Sequence, residues 1–164
     1  MKELLTQYAN YNIWANKRII AVLLKLTPEQ LDMPIESSFN SIRKTAYHSW
    51  GAEDVWWQRI QLIENWRYVG NDLDTPIEEA CERWAKISGD LKAFIEKQYD
   101  DAAFEHVFQY YDSEKVPWKQ QVGHVLHHVF NHATYHRGQI IPMLRQAGET
   151  KIPYTDFMGF VRKA

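Results

Sequence analysis

Apolar residues recur at the three- and four-residue spacing of amphipathic helices in four long segments of the chain. The pattern predicts helices over residues 2–26, 41–68, 75–98 and 117–146. Gly148 follows the last of these segments, at a position where glycine commonly ends a helix. Four long helices in one chain of ordinary domain size favour a four-helix bundle.

Residues that favour helix starts precede three of the predicted elements. Asn40 or Ser41 is expected to cap the second long helix, and Thr75 and Pro76 are expected to open the third. Pro28 fits the first position of a short helical turn after the first helix.

The segment between the third and fourth predicted helices, DDAAFEHVFQYYDSEKVPW, alternates apolar and polar residues. This alternation, followed by Asp112 and Ser113, predicts a small β-hairpin or an extended excursion. Near the C-terminus, Thr155 or Asp156 is expected to cap a short helix. The predicted fold class is therefore all-α: a four-helix bundle with long crossover connections and a small β-hairpin, in a single domain over residues 1–164.

Composition narrows the functional classes. The 164 residues are 45% hydrophobic and 24% charged, with a net charge of −2, so no basic excess indicates a nucleic-acid partner. No segment approaches the ~18 consecutive apolar residues of a membrane span. Cys81 is the single cysteine, which excludes an internal disulfide and a cysteine-rich zinc site. We therefore expect a cytoplasmic protein that acts on a small molecule, and any metal site must use nitrogen and oxygen ligands.

Histidine is concentrated in the fourth predicted helix. The stretch HVLHHVFNHATYHRGQ contains five of the seven histidines, at positions 124, 127, 128, 132 and 136. Each four-residue step advances about 6 Å along a helix, so the first and last of them cannot share one ion. At most two adjacent residues of the four-residue series can bind the same metal.

Helical periodicity selects one pair. His132 and His136 share the apolar stripe with Gln139 and Met143, whereas His128 lies at its edge. Such a pair is either a polar feature satisfied by hydrogen bonds or two ligands of a divalent ion, and the spacing alone leaves both open.

A third ligand comes from the second predicted helix. There His48 is central to the buried face, and a lone buried histidine is more often structural than a ligand. Together with His132 and His136, however, it would complete a three-histidine site. Such a site leaves a position for an exchangeable ligand, which is the arrangement of reactive metal centres.

The segments YNIWANKRI, SFNSIRKTAYHSWGAEDVWWQR and HVFNHATYHRGQIIPMLRQAGE, with the closing TDFMGF, resemble the DinB family of YfiT-like metalloenzymes over essentially the whole chain. The resemblance implies a four-helix bundle, usually a homodimer, with a divalent ion held by His48, His132 and His136. In that family the ion is zinc, nickel or another first-row metal. The family name refers to damage inducibility, not to DNA binding.

The resemblance leaves the reaction open. Relatives in the wider superfamily transfer low-molecular-weight thiols such as bacillithiol or mycothiol, so the leading hypothesis is a metal-dependent thiol S-transferase with a thiol cosubstrate. A metal-dependent hydrolase is the alternative, but Glu53 and Asp54 are turned away from His48 by helical phase and do not supply its base. A non-catalytic metal-binding or stress-response module is the third hypothesis.

Three further residues are candidates for lining a pocket. Asn12 lies at the edge of the buried face of the first predicted helix, Arg59 lies about three turns beyond His48, and His128 flanks the histidine pair. Each of them can equally make a structural hydrogen bond or ion pair.

Overall fold

The computed structural model describes residues 1–162. Its four long helices are α1 (Lys2–Leu23), α3 (Ile42–Ile60), α4 (Ile77–Lys97) and α6 (Val122–Gln146). Helix α1 packs on α4 and α6, and α3 packs on the same two helices, which closes the bundle. The predicted all-α four-helix bundle with a small hairpin is therefore confirmed.

Shorter elements connect the bundle helices. They are α2 (Pro28–Asp32), a 3₁₀ turn (Val69–Asn71), α5 (Ala102–Glu105), strands β1 (Val107–Tyr111) and β2 (Pro117–Gln121), and α7 (Phe157–Val161). The two strands pair antiparallel in register Tyr110 with Trp118, so the predicted hairpin is present.

Side-chain caps account for three helix starts. Thr27 accepts from the Gln30 amide in a capping box at the start of α2, and Ser41 accepts from the Lys44 amide at the start of α3. Asp156 caps α7, as the sequence predicted.

The predicted second helix is too long by eight residues. Helix α3 ends at Ile60, and Leu62 adopts a left-handed φ of 56° that turns the chain back. The side chain of Gln58 then bonds to both the backbone amide and the carbonyl of Arg67. These bonds hold the returning segment, residues 62–71, against α3. There the side chain of Gln58 satisfies backbone groups of Arg67 that a continuing helix would have paired.

Other predicted boundaries are also wrong. Residues 117–121, which the pattern assigned to the fourth helix, form β2 and pair with residues 107–111. Pro117 lies at the end of this hairpin opposite Tyr111, a position where a strand tolerates proline. The first long helix ends at Leu23 instead of residue 26, and no side chain caps α4, whose N-cap is Pro76 instead of Thr75.

Two glycines permit a close contact that positions the functional site. A Cβ on Gly51 of α3 would lie 2.5 Å from the backbone nitrogen of Gly70 in the 3₁₀ turn. A Cβ on Gly70 would collide with the ring of Tyr68 and lie 2.9 Å from the carbonyl oxygen of Tyr47. Glycine at both positions therefore lets the returning segment lie directly on α3.

Within residues 1–162, no helix is long and apolar enough to cross a membrane. The assignment of residues 1–164 to a single domain stays a prediction, and the last two residues of that range lie outside the described part of the chain.

Candidate metal centre

His48 of α3 meets His132 and His136 of α6 where these two helices pack on each other. The Nε2 atom of His132 lies 3.2 Å from Nε2 of His48 and 3.1 Å from Nε2 of His136. One ligand nitrogen from each ring lies within 4.8 Å of the others. Two nitrogens that each bind zinc at about 2.0–2.1 Å with tetrahedral geometry are about 3.3 Å apart, so the spacing suits a shared ion.

The outer nitrogens of two rings have fixed partners. The side-chain oxygen of Gln139 accepts the Nδ1 proton of His136 at 2.7 Å, which leaves Nε2 of His136 with its lone pair. The hydroxyl of Tyr68 lies 2.7 Å from Nδ1 of His48, where it can accept that proton in the same way. Metal-binding histidines characteristically donate their other N–H to such a partner.

Burial keeps the three rings neutral. It lowers the pKa of His48 to about 4 and of His132 to about 3, with the charges of the neighbouring histidines as the smaller cause. Burial also lowers the pKa of His136, although its hydrogen bond to Gln139 acts in the opposite direction. Neutral imidazole is the form that binds metal.

Without a cation, the three rings cannot all be satisfied. With both flanking Nδ1 atoms protonated, the Nε2 atoms of His48 and His136 both present lone pairs to His132. The Nε2 atom of His132 carries at most one proton when neutral, so it can donate to only one of them. A divalent ion would accept all three lone pairs, and this donor set therefore fits a metal.

An aromatic ring and a small cavity border the site. Phe39 stacks on His48 with ring centroids 4.1 Å apart and meets the edge of His136 at 5.6 Å. A cavity of about 260 Å³ beside His48 is lined in part by Phe39, Lys44 and Tyr68. No Asp or Glu within residues 1–162 joins the three histidines, so the donor set consists of imidazoles alone.

The DinB family model matches residues 1–163 of the chain. The chain belongs to the DinB family. Protein DinB of Bacillus subtilis (strain 168) is 30% identical to it over 155 residues, which cover 90% of this chain and 87% of the relative.

Two solved structures share the DinB-family fold. YfiT from Bacillus subtilis superposes with a TM-score of 0.72 at 15% identity, covering 92% of this chain and 91% of YfiT. A DinB-like protein from Bacillus cereus ATCC 10987 also gives a TM-score of 0.72, at 21% identity, covering 93% and 95%. At these identities the likeness concerns the fold.

Three other histidines of α6 lie outside the cluster. His124 and His127 are exposed, as their helical phase predicted. His128 is also exposed, but its ring lies 5.5 Å from that of His132 and 5.2 Å from that of Trp56, between centroids. His128 is therefore a neighbour of the three-histidine cluster, at its Trp56 side.

Asn12 does not lie in the cavity beside His48. It is 1% exposed, donates to Glu53 and accepts from Arg137, so it belongs to a hydrogen-bonded network inside the bundle. The amide of Asn12 thus gives one hydrogen-bond partner to the Glu53 carboxylate and one to the Arg137 guanidinium. This role accounts for a polar residue at the edge of the apolar face.

The network that contains Asn12 links the bundle helices. Asn16 repeats its contacts one turn later, and the Glu53 carboxylate also accepts from the side chains of Trp84 and Ser88. Glu53 points into this network, in agreement with its helical phase. It is therefore not available as a base at the histidines.

Sequence reasoning missed Tyr68 and Phe39. The apolar pattern assigns Tyr68 to the end of an overlong helix, and the available signal is the glycine that follows two residues later.

Cys81 is buried, and burial raises its pKa to about 12, so it is not a nucleophile.

Proposed function

We propose that the chain is a metal-dependent enzyme in which His48, His132 and His136 bind one divalent first-row ion such as zinc or nickel, and that its reaction is thiol S-transfer. The observation that carries the proposal is the convergence of three neutral imidazole nitrogens with no carboxylate of residues 1–162 among them. Three protein ligands leave a tetrahedral ion one position for a substrate.

The chain's own residues orient the ligands. Gln139 accepts the Nδ1 proton of His136, and the Tyr68 hydroxyl can accept that of His48. Burial raises the pKa of Tyr68 to about 12, so its hydroxyl stays neutral. Phe39 covers one side of the rings and limits the access of water. A bound divalent ion would supply a Lewis acid that lowers the pKa of a thiol or of water.

Thiol transfer suits this environment better than hydrolysis. A hydrolase of this type commonly uses a carboxylate as general base, and the buried carboxylate of α3, Glu53, is engaged by four side chains elsewhere in the bundle. A thiol is acidic enough to need no such base at a metal. The net reaction forms a bond from the thiol sulfur to an electrophilic carbon, breaks the bond to its leaving group and releases the thiol proton.

A metal-dependent hydrolase is the second candidate. YfiT, which shares the fold, is described as a probable metal-dependent hydrolase. The same three histidines could serve that reaction if a residue other than a carboxylate handled the proton. Activity assays distinguish the two candidates, and a non-catalytic metal-binding module is the third outcome.

Metal content tests the ligand assignment. Untagged wild-type protein, His48→Ala, His132→Ala and His136→Ala would be analysed by mass spectrometry for bound zinc, nickel and other first-row metals. The matched control is His124→Ala, which removes an exposed histidine from the same helix as two of the ligands. We expect stoichiometric metal in the wild type and the control and a strong loss in the other three. Equal metal content in all five proteins would refute the assignment.

Product analysis tests the reaction. Protein reconstituted with each metal would be incubated with glutathione, cysteine or bacillithiol and a haloalkane electrophile, and in parallel with a panel of esters and amides. Thiol adducts that require both metal and His48 would support the proposal. Hydrolysis alone would favour the second candidate, and stoichiometric metal without turnover of any compound would favour the binding module.

We also propose the homodimer and the cytoplasmic location that the sequence suggested. The family resemblance supports the homodimer, and a chain with one cysteine, which cannot form an internal disulfide, suits a reducing compartment. Light scattering of the purified protein tests the first, and fractionation of cells tests the second.

A further inference from the structure

Arg59 has an unusual environment near the end of α3. Its guanidinium carbon lies 4.6 Å from the ring centroids of both Trp56 and Trp66 and 5.1 Å from that of Tyr110. The Nε atom of Arg59 is buried and has no hydrogen-bond partner within residues 1–162. Aromatic faces stabilise the charge of an arginine but accept its N–H groups poorly, so the donors remain available.

The nearby carboxylates do not pair with Arg59. Asp112 accepts instead from the backbone amides of Glu114 and Val116 and from the indole N–H of Trp118. Glu64 borders the same cavity but is exposed, and no ion pair joins it to Arg59 in the described chain. Burial lowers the pKa of Arg59, and the nearby charge of Asp112 opposes this only as a smaller cause. A half-buried arginine without a hydrogen-bonded anion is costly.

A cavity opens at this arginine. It has a volume of about 240 Å³ and is lined in part by Arg59, Trp66, Gln109 and Tyr110. This space is smaller than a typical whole-ligand site, and it suits one end of a small molecule.

A run of neighbouring side chains leads from Arg59 to the three histidines. Trp56 contacts Arg59 on one side, and its ring centroid lies 5.2 Å from that of His128 on the other. His128 in turn lies 5.5 Å from His132 between ring centroids. Two side chains, Trp56 and His128, therefore stand between Arg59 and the histidine cluster.

We propose that Arg59 binds an oxyanion group, a carboxylate or a phosphate, of a small molecule whose other end reaches the three histidines. A guanidinium presents N–H donors in a planar fork that matches both anions, and the surrounding rings exclude water from the contact. Binding of the anion follows from the surroundings of Arg59 alone. The assignment of that anion to the enzyme's substrate rests on the proposed function.

Nuclear magnetic resonance of the arginine Nε–H groups tests the proposal directly. Full-length ¹⁵N-labelled protein, zinc-loaded and metal-free, would be titrated with inorganic phosphate and with succinate at constant ionic strength set by sodium chloride. Arg59→Gln and Arg59→Lys identify the resonance and remove or weaken the site. The matched control is Arg67→Gln, which removes an exposed arginine that pairs with Asp72.

We expect the Arg59 resonance to shift and saturate at millimolar concentration with at least one of the two anions, and Arg67→Gln to behave as wild type. In the variants, binding is followed by the indole N–H resonances of Trp56 and Trp66, whose rings contact the guanidinium of Arg59 in the wild type. Loss of the charged fork in Arg59→Gln should weaken that binding about tenfold or more, with a smaller loss in Arg59→Lys. Saturation with phosphate or with succinate identifies the preferred anion. A resonance that does not saturate, or that sodium chloride shifts equally, would overturn the proposal.

The same titration separates this proposal from the proposed function. If the metal analysis fails while the Arg59 resonance saturates, the oxyanion site remains and the metal assignment falls. If the metal binds and the Arg59 resonance does not respond, the metal assignment remains and the oxyanion site falls. Should Arg59→Gln fail to fold, the wild-type titration and Arg59→Lys still decide the outcome.

Discussion

The hydroxyl oxygen of Tyr68 lies 2.7 Å from Nδ1 of His48, and this contact ties the segment after α3 back to the middle of that helix. The contact is possible because Gly51 and Gly70 allow the two backbones to approach closely. A residue twenty positions along the chain therefore hydrogen-bonds the outer ring nitrogen of His48 and orients that ring. The orientation of the His48 ring therefore depends on how closely the returning segment lies on α3.

Tyr68→Phe should weaken metal binding without preventing it. The change removes only the hydroxyl, and loss of such an outer partner of a metal ligand typically costs about 10–100-fold in affinity. Competition with a chromophoric chelator measures this, and Tyr99→Phe is the matched control because Tyr99 is 98% exposed. Equal affinities for the two variants would show that Tyr68 does not orient His48.

Gly51→Ala should destabilise the fold and also weaken metal binding. Its new Cβ would lie 2.6 Å from the Cα atom of Gly70, so the segment that carries Tyr68 must shift. Overpacking of this kind costs about 1–3 kcal/mol. The unfolding free energy from urea titration and the chelator assay measure the two effects.

Gly89→Ala is the matched control for that change. Gly89 lies inside α4, and a Cβ at this position would meet nothing within 4 Å, so alanine there should stabilise the fold by about 0.5–1 kcal/mol. If Gly51→Ala were as stable as wild type and bound metal as tightly, the close approach of the two backbones would not be required.

The three histidines could be predicted because a helix repeats its faces. The helical period of 3.6 residues places His132 and His136 on the apolar stripe of α6. The same period places His48 on the buried face of α3. Their convergence then required only that the two helices pack on each other. Helical phase likewise turned Glu53 away from the site.

Tyr68 could not be predicted in the same way. Its position depends on where α3 ends, and that end is set by contacts between Gln58 and Arg67 that no local pattern reveals. The start of α6 was misplaced for a related reason, because Pro117 suits the first turn of a helix and also the edge of a hairpin. Pairing between residues six to nine positions apart decided both boundaries.

Glu53→Ala should destabilise the protein strongly. Glu53 is 1% exposed. Its loss would leave the buried Arg137, whose hydrogen-bond partners are all neutral, without the opposite charge that acts on it. Breaking a buried charge network typically costs about 3–5 kcal/mol. Glu82→Ala, an exposed change on α4, should stay within about 0.5 kcal/mol of wild type.

The same variant tests the role of Glu53 in chemistry. Folded Glu53→Ala at low temperature should retain stoichiometric metal, because Glu53 bonds to none of the three histidines in the described chain. An unfolding free energy close to that of wild type, together with lost activity, would contradict the structural role and favour Glu53 as a catalytic base.

Stability of the metal-free protein should fall as the pH is lowered from about 6.5 towards 4. The pKa of His48 is about 4 and that of His132 about 3, both below the ordinary value of 6.5, so the unfolded chain binds protons in this range that the folded chain does not. Each such proton contributes a slope of up to about 1.4 kcal/mol per pH unit. Urea titrations across the range, with His132→Ala for comparison, measure the slope.

Removal of one depressed histidine should flatten this dependence, because the unfolded His132→Ala chain has one proton fewer to bind. His124→Ala should keep the wild-type slope, since His124 is exposed and lies outside the three-histidine cluster. If His132→Ala and His124→Ala gave the same slope, the His132 ring would be protonated in the folded protein at mildly acidic pH. A cationic ring at this position would also repel a divalent ion, so that result would count against the metal centre as well.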